Sequence, residues 1–196
     1  MAASHPVAPG WEETADGAQA RFAAIPLRMR TLVALILVTV LAGGIGAALL
    51  VIALDGVLLR AGARVTVIAV GVLIALPAYA VLRASLRRRT VTCRIAMARE
   101  GLILEAGAMT LRMAYADVDE IVWRPSSDYA RVEVRGAGVD VSLLVGLARP
   151  LAGRSATLPG LAGRLPRLLE RAGLSLVRSR RGDVSRFVRS AAVNAG

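Results

Sequence analysis

Residues 31–54 read TLVALILVTVLAGGIGAALLVIAL, and residues 65–82 read VTVIAVGVLIALPAYAVL. Neither run contains a charged residue over its 24 or 18 positions. As helices with a rise of ~1.5 Å per residue they extend about 36 Å and 27 Å, and the hydrocarbon core of a bilayer is about 30 Å thick. Each run therefore predicts a transmembrane helix, and together they predict a hairpin over residues 31–82.

Two other interpretations of these runs were weighed against the hairpin. Buried core helices of a soluble protein usually keep a polar face, which neither run has. A cleaved signal peptide fits the small residues at the end of the first run. However, a signal peptide has a shorter apolar segment behind a short basic stretch, whereas 30 residues of mixed polarity precede Thr31. The sequence favours a retained hairpin.

The distribution of arginine predicts the orientation of the hairpin. Three arginines precede the first run and five lie within residues 83–94, whereas the connecting loop, residues 55–64, holds two. Positively charged residues close to a span favour the cytoplasmic side of the membrane. We therefore predict a multi-pass protein of the inner (plasma) membrane with both termini in the cytoplasm.

The net charge of +11 is concentrated on two flanks of the chain. All 25 basic residues are arginine, a bias typical of a GC-rich bacterial genome. A nucleic-acid-binding surface would need charge on the folded domain or an aromatic platform, and only 4% of the residues are aromatic. We predict anionic membrane lipids, and no nucleic acid, as partners; a purely topological role is the alternative for the first flank. The predicted lipid-headgroup contacts are Arg83, Arg87, Arg88, Arg89, Arg94, Arg186 and Arg189.

The chain has one cysteine, Cys93, and one histidine, His5. Within one chain they exclude a disulfide framework, a Cys/His metal site and a cysteine–histidine dyad, so Cys93 is expected to be a small buried apolar residue. The acidic cluster at residues 117–120 lacks the further oxygen ligands of a metal site, and Ser126 and Ser127 lack a base. We predict no enzyme activity, no catalytic residues, no metal and no cofactor.

The first apolar run contains small residues at four-residue spacing, AGGIGAA over residues 42–48. In lipid, a helix face of this kind allows another backbone to approach closely. The partner is the second helix, another membrane protein or a second copy of this chain. The predicted helix-packing residues are Ala42, Gly43, Gly44, Gly46 and Ala47.

From Val91 onward apolar and polar residues alternate with period two, and short glycine-containing segments interrupt the alternation. This pattern predicts an antiparallel meander with one buried face. A helix follows, with Leu165 and Leu169 on one face, Pro166 in its first turn and Gly173 at its end. The predicted fold class is α+β: a transmembrane helical hairpin followed by a small antiparallel β-sandwich or partial barrel with a C-terminal helix.

These patterns divide the chain into five predicted segments. Two interpretations of the last segment stay open: a disordered basic tail, or an interfacial amphipathic helix that begins at Asp183 and presents Phe187 to the membrane. The segments are a cytoplasmic N-terminal segment (1–30), the hairpin (31–82), a basic juxtamembrane linker (83–90), the antiparallel domain (91–174) and a basic C-terminal tail (175–196).

Two segments, MAYADVDEI at Met113–Ile121 and AREGL at Ala98–Leu102, resemble a strand entry and a hairpin of the bacterial PH-like domain proteins. Over residues 31–174 the order of elements is similar to small actinobacterial membrane proteins of the low-molecular-weight antigen type, in which two helices precede such a domain. The resemblance implies a sandwich or partial barrel with a helix over one end. It implies no catalytic residues.

Two classes of function follow from these expectations. The first is a non-enzymatic membrane-anchored interaction module that holds its PH-like domain at the inner leaflet to bind a protein or anionic lipid. The alternative is an accessory subunit of a larger membrane protein complex, bound through the transmembrane hairpin. Proteins that copurify after mild detergent extraction would distinguish the two.

Overall fold

The computed structural model describes residues 10–14, 16–53, 63–151, 157–161, 164–179 and 183–189. Within these residues the chain forms α+β structure. The helices are α1 (Met29–Ala53), α2 (Ala63–Arg88) and α3 (Arg164–Arg171). The strands are β1 (Glu12–Thr14), β2 (Gly17–Pro26), β3 (Val91–Ala98), β4 (Gly101–Ala106), β5 (Met109–Ala114), β6 (Glu120–Arg124), β7 (Arg131–Gly136), β8 (Val139–Leu144), β9 (Leu174–Arg178) and β10 (Ser185–Arg189).

The chain divides into two compact units. The helical unit contains α1 and α2, and the sheet unit contains the segments before Met29 and after Arg88. The helical unit is therefore an insertion in the chain between β2 and β3.

The two predicted apolar helices are confirmed, and each is long and apolar enough to cross a membrane. Most of their described large side chains point outward, and Leu37, Ile52 and Leu73 are 57%, 69% and 71% exposed. The hydroxyl of Thr39 donates a hydrogen bond of 2.8 Å to the carbonyl of Leu35, so this polar group is satisfied within α1. The outward apolar surface is what a helix pair in lipid presents and a buried core helix does not.

The predicted juxtamembrane linker, residues 83–90, is mostly helical. Helix α2 continues to Arg88, and only Arg89 and Thr90 connect it to β3. The sequence RASLRR at residues 83–88 consists mainly of good helix formers and contains no glycine or proline. Arg87 and Arg88 also lie in the last turn, where a positive charge interacts favourably with the helix dipole.

The strands form one open antiparallel sheet in the order β5-β4-β3-β2-β8-β7-β6-β10-β9, with β1 paired to β2. Strand β2 joins the two halves of this sheet, because residues 17–24 pair with β3 and residues 25–26 pair with β8. Apolar side chains from both halves meet in one core. Its large members include Phe22, Ile95, Met97, Leu104, Trp123, Val132, Val134 and Phe187.

The N-terminal segment is part of the sheet, which the sequence did not lead us to expect. Ala18, Ala20, Phe22 and Ala24 alternate along β2 and are all buried in the core. Three of these four residues are alanine, which has a low β propensity and gives little hydrophobic contrast, so the alternation is weak in the sequence. The sheet unit therefore begins before the hairpin and extends beyond the predicted domain of residues 91–174.

The predicted interfacial helix in the C-terminal tail is wrong over the described residues. Strand β10 is hydrogen-bonded on both sides, with Phe187 opposite Ile121 of β6 and Leu176 of β9. Phe187 is fully buried, which stabilises the strand by about 2–3 kcal/mol relative to an exposed ring. A short isolated helix has no comparable compensation in water.

The predicted C-terminal helix is confirmed as α3. Leu165 and Leu169 are buried and pack into the core, and Pro166 occupies the first turn. The helix ends at Arg171, and Gly173 just beyond it has a left-handed φ of +85° and donates a 3.0 Å hydrogen bond from its N–H to the carbonyl of Glu170. The two halves of the sheet and α3 together enclose a single core.

Candidate functional site

Four of the predicted headgroup arginines surround the end of α2. Arg83, Arg87, Arg88 and Arg89 are all exposed. No ion pair joins any of them to another residue in the described part of the chain. The charge at this end of the helix is therefore not neutralised by the described fold.

Arg94 has a different environment, in strand β3. Its Nε donates a hydrogen bond of 2.8 Å to Oε1 of Gln19, and its Nη1 lies 3.7 Å from Oε2 of Glu105. This guanidinium joins β2, β3 and β4 on the surface of the sheet. Its contact with lipid stays a prediction.

The two remaining predicted headgroup arginines lie on β10 and have partners within the sheet unit. Arg186 donates from Nε to a carboxylate oxygen of Glu120. Arg189 donates from Nε to the carbonyl of Val118 at 3.0 Å, and it also bonds the carbonyl of Tyr115. The structure thus gives both side chains a role in holding β10 to its neighbours, and their contact with lipid also stays a prediction.

An ion-pair network covers the outer face of β6, β7 and β8. Arg135 lies 2.9 Å from Glu120, 3.4 Å from Glu133 and 3.5 Å from Asp140, and Arg131 lies 2.7 Å from Glu133. Burial opposes the charge of Arg135, but the three neighbouring carboxylates outweigh it and raise its pKa. Because these arginines are already paired, the network stabilises the sheet and leaves little charge for a ligand.

The acidic cluster of residues 117–120 lies in a turn that leads into β6. Tyr115–Asp117 is a single 3-10 turn, and β6 begins only at Glu120. The N–H of Asp119 donates to the carbonyl of Arg135 at 2.9 Å, which fixes the turn against β7. Among the described residues, no group of three or more His, Cys, Asp and Glu side chains is placed to hold a metal ion.

Cys93 is fully buried in the core, as predicted. Burial raises the pKa of its thiol to about 12, although a backbone hydrogen bond at Ala24 acts in the opposite direction. Burial also raises the pKa of the Tyr115 hydroxyl, which has no hydrogen-bond partner in the described part of the chain. Neither group is therefore ionised near neutral pH, and Cys93 is not an activated nucleophile.

Two tryptophans hold the segment of residues 157–161 over the core. Trp11 and Trp123 stack with ring centroids 5.6 Å apart. Their indole N–H groups donate to consecutive carbonyls, Trp11 to Gly160 at 3.1 Å and Trp123 to Pro159 at 2.9 Å. Both rings are thus satisfied structural residues, and Trp123 belongs to the core.

The predicted helix-packing residues separate into two groups. A Cβ added at Gly43 would lie 3.7 Å from Cγ2 of Ile74 in α2, and Ala47, one turn further on the same face, is buried. A Cβ added at Gly44 or Gly46 would meet no described atom within 4 Å, and Ala42 is exposed. Only part of the small-residue face is therefore used inside the hairpin.

The sheet unit contains a cleft of about 500 Å³ that sequence reasoning did not anticipate. Three short parts of the fold form it: the turn before β2, the turn between β3 and β4, and α3. Three of its side chains are arginines and one is acidic. We call this the arginine cleft, and it is lined by Asp16, Gly17, Arg99, Arg164, Leu168, Arg171 and Ala172.

The sequence contains one sign of the arginine cleft. Arg164, Leu168 and Arg171 are spaced by four and three residues, so they share one face of a helix. Arg99 and Asp16 come from turns that are distant in the chain, and only the fold brings them to that face.

Comparison with protein-family models, with curated proteins and with solved structures found no match to this chain.

Proposed function

We propose that this protein is a non-enzymatic membrane-anchored interaction module. Helices α1 and α2 cross the inner membrane, and the sheet unit is a PH-like domain held at the inner leaflet, where it binds a protein or anionic lipid. The antiparallel strands around one core, with Leu165 and Leu169 of α3 packed into it, support the PH-like assignment. Strands β1, β2, β9 and β10 extend that arrangement at both ends of the chain.

The observation that carries this proposal is the pairing of the strands before and after the helical unit. Strand β2 pairs with β3 without a break from Gly17 opposite Ala98 to Ala24 opposite Val91. Paired strands lie side by side at about 4.8 Å, so both must be on the same side of any membrane that the helices cross. This supports two complete spans with a cytoplasmic N-terminal segment and a cytoplasmic sheet unit.

The connections between the two units are short. Two residues, Leu27 and Arg28, separate β2 from α1, and two, Arg89 and Thr90, separate α2 from β3. At about 3.5 Å per extended residue, each connection reaches roughly 7 Å. Two short connections support a domain that stays at the membrane surface.

The exposed arginines at the end of α2 support the inner leaflet as that surface. An arginine near an anionic leaflet contributes about 1 kcal/mol of attraction. Arg83, Arg87, Arg88 and Arg89 are exposed and make no ion pair with a described residue. Because the two helices already provide attachment, we expect this attraction to orient the domain.

A specific observation favours the alternative, an accessory subunit of a larger membrane complex. No described atom lies within 4 Å of a Cβ placed at Gly44 or Gly46, so the small-residue face extends beyond what the described part of α2 covers. In lipid, such a surface allows a second membrane protein or a second copy of this chain to pack closely.

Affinity purification of the full chain after mild detergent extraction separates the two functions. An accessory subunit should retain a fixed, stoichiometric set of membrane proteins that Gly46→Leu removes and the control Ile45→Leu keeps. An interaction module should retain a partner that Gly46→Leu does not affect, or bind anionic lipid. The absence of any partner and of any preference for anionic lipid would contradict both proposals.

Gly43→Leu provides the internal comparison for this experiment. A Cβ at Gly43 would lie against Ile74, whereas a Cβ at Gly46 would have no described atom within 4 Å. We expect Gly43→Leu to destabilise the helix pair in detergent by about 1 kcal/mol, and Gly46→Leu to leave it unchanged. If both variants destabilised the helix pair equally, the proposal that Gly43 packs against α2 while Gly46 does not would be contradicted.

A further inference from the structure

We propose that the arginine cleft binds the phosphoryl group of a phosphorylated ligand. This site goes beyond the proposed function, because none of the predicted headgroup residues lines it. The evidence is the convergence of three guanidinium groups, the absence of an ion pair between two of them and any described residue, and the packed turns that carry them.

The lining of the cleft has an excess of positive charge. Among the described lining residues, three are arginines, Arg99, Arg164 and Arg171, and one is acidic, Asp16. Arg164 is partly neutralised, because its Nη2 pairs with Glu13 and donates a 3.2 Å hydrogen bond to the carbonyl of Gly17. Arg99 and Arg171 make no ion pair with another described residue. The positive charges of these guanidinium groups repel one another, and a ligand with two negative charges would offset that repulsion.

Ordinary structural roles explain only part of this arrangement. Arg171 lies in the last turn of α3, where a cation interacts favourably with the helix dipole. Arg164 joins α3 to the turn before β2. Neither role accounts for Arg99, which the turn between β3 and β4 brings to the same cleft. Guanidinium groups bind phosphate oxygens through paired hydrogen bonds, so a phosphoryl group fits this donor set.

Two glycines hold the turns of the cleft in place. A Cβ at Gly17 would lie 1.9 Å from the carbonyl oxygen of Met97, and a Cβ at Gly101 would lie 2.4 Å from that of Met113. Only glycine allows these close approaches. The turn that carries Arg99 is also fixed by the N–H of Tyr115, which donates to the carbonyl of Glu100 at 3.3 Å. Close packing therefore fixes the backbone of the two turns that carry Asp16 and Arg99.

The chemistry of the cleft fits a phosphoryl group whether a soluble molecule or a lipid headgroup carries it, because both present the same phosphate oxygens to a guanidinium group. Titrations in detergent and in nanodiscs of two lipid compositions distinguish these two sources.

Calorimetric titration of the full chain in mild non-ionic detergent, at constant ionic strength, tests the site with pyrophosphate as the probe. We expect saturable binding of one pyrophosphate, weakened about tenfold or more by Arg99→Gln and by Arg171→Gln. The matched control is Arg167→Gln, which removes an exposed arginine of α3 that does not line the cleft. We expect Asp16→Asn to tighten binding, because it removes the one carboxylate of the lining.

The same titration in nanodiscs identifies the source of the phosphoryl group. Equal pyrophosphate affinity in phosphatidylcholine discs and in discs with one quarter phosphatidylglycerol would support a soluble ligand. Competition by phosphatidylglycerol that disappears in Arg99→Gln would instead assign the phosphoryl group to a lipid headgroup. No saturable binding in detergent, or an Arg167→Gln effect as large as that of Arg99→Gln, would overturn the site itself. Neither result depends on whether the membrane proposal holds.

Discussion

The helical unit and the sheet unit place their apolar side chains in opposite ways. Leu37 and Leu73 in the helices are more than half exposed, whereas Ile95, Leu104 and Trp123 in the sheet unit are completely buried. Transfer of apolar surface out of water is favourable. The sheet unit achieves this by burying its apolar side chains in its own core, whereas the apolar side chains of the helical unit are left to contact a surrounding apolar medium, for which we propose the membrane. Composition alone, 56% hydrophobic over the whole chain, does not reveal this division.

The two units also differ in where they carry charged residues. The helices contain no charged residue between Thr31 and Ala53 or between Val65 and Leu82. On the sheet, Glu120 and Glu133 are nearly buried but paired with arginines. A charge in hydrocarbon is costly, whereas a charge on the sheet needs only a partner.

The largest effect should come from the core of the sheet unit. Trp123→Ala removes a completely buried ring, its stacking on Trp11 and its hydrogen bond to Pro159. We expect a loss of about 3–5 kcal/mol in the free energy of unfolding, measured by denaturant titration of the full chain in detergent with circular dichroism. The control Tyr129→Ala, at a 44% exposed residue, should lose far less. Equal losses would mean that Trp123 does not belong to the core.

Much of the sheet was predictable because alternation and glycine turns are local signals. Strands β3, β4, β5, β7 and β8 follow the predicted period, and the left-handed Gly173 follows the end of α3 as predicted. Strands β2 and β10 were missed for physical reasons. The buried face of β2 is mostly alanine, and β10 has only five residues, which fit a helix face as well as a strand. Its pairing with β6, more than sixty residues earlier, decides its conformation.

An arginine introduced at an exposed apolar position of each unit tests whether the exposed surface of the helices lies in hydrocarbon and that of the sheet unit in water. Val40 lies near the middle of the first candidate span and is 62% exposed. Val40→Arg should cost about 3 kcal/mol of membrane insertion and reduce the fraction that resists alkaline extraction. Val177→Arg, at a 47% exposed residue of β9, should change stability by less than about 0.5 kcal/mol. If Val40→Arg leaves membrane association intact, α1 does not lie in hydrocarbon.

The smallest effect concerns the paired charges of the sheet. Glu120→Gln leaves Arg135 and Arg186 without their shared carboxylate, so we expect a loss of about 2 kcal/mol in denaturant titration. Glu105→Gln breaks a 3.7 Å pair between half-exposed side chains and should cost less than about 0.5 kcal/mol. Similar losses at both positions would show that the network contributes no more than an ordinary surface pair.

The candidate sites differ in how far the sequence predicted them. The arginines at the end of α2 form one contiguous cluster, and they were found from the sequence alone. The arginine cleft was not predicted from the sequence, because Arg99 and Arg171 are distant in the chain and line one cleft only after β3, β4 and α3 have packed. Arg186 shows the converse: its basic neighbourhood predicted a lipid contact, whereas the structure pairs it with Glu120.

The most direct test of the central claim uses the chemistry of Cys93. Its thiol is buried and its pKa is raised to about 12, so it stays protonated and unreactive at pH 7, and the wild-type chain is an unlabelled background. Intact cells carrying Gly56→Cys or Ser126→Cys are treated with a membrane-impermeant maleimide. We predict that Gly56→Cys, between the two helices, is labelled in intact cells, and that Ser126→Cys, in an exposed turn of the sheet unit, is labelled only after permeabilisation. Labelling of Ser126→Cys in intact cells, with Gly56→Cys protected until lysis, would contradict a sheet unit held at the inner leaflet.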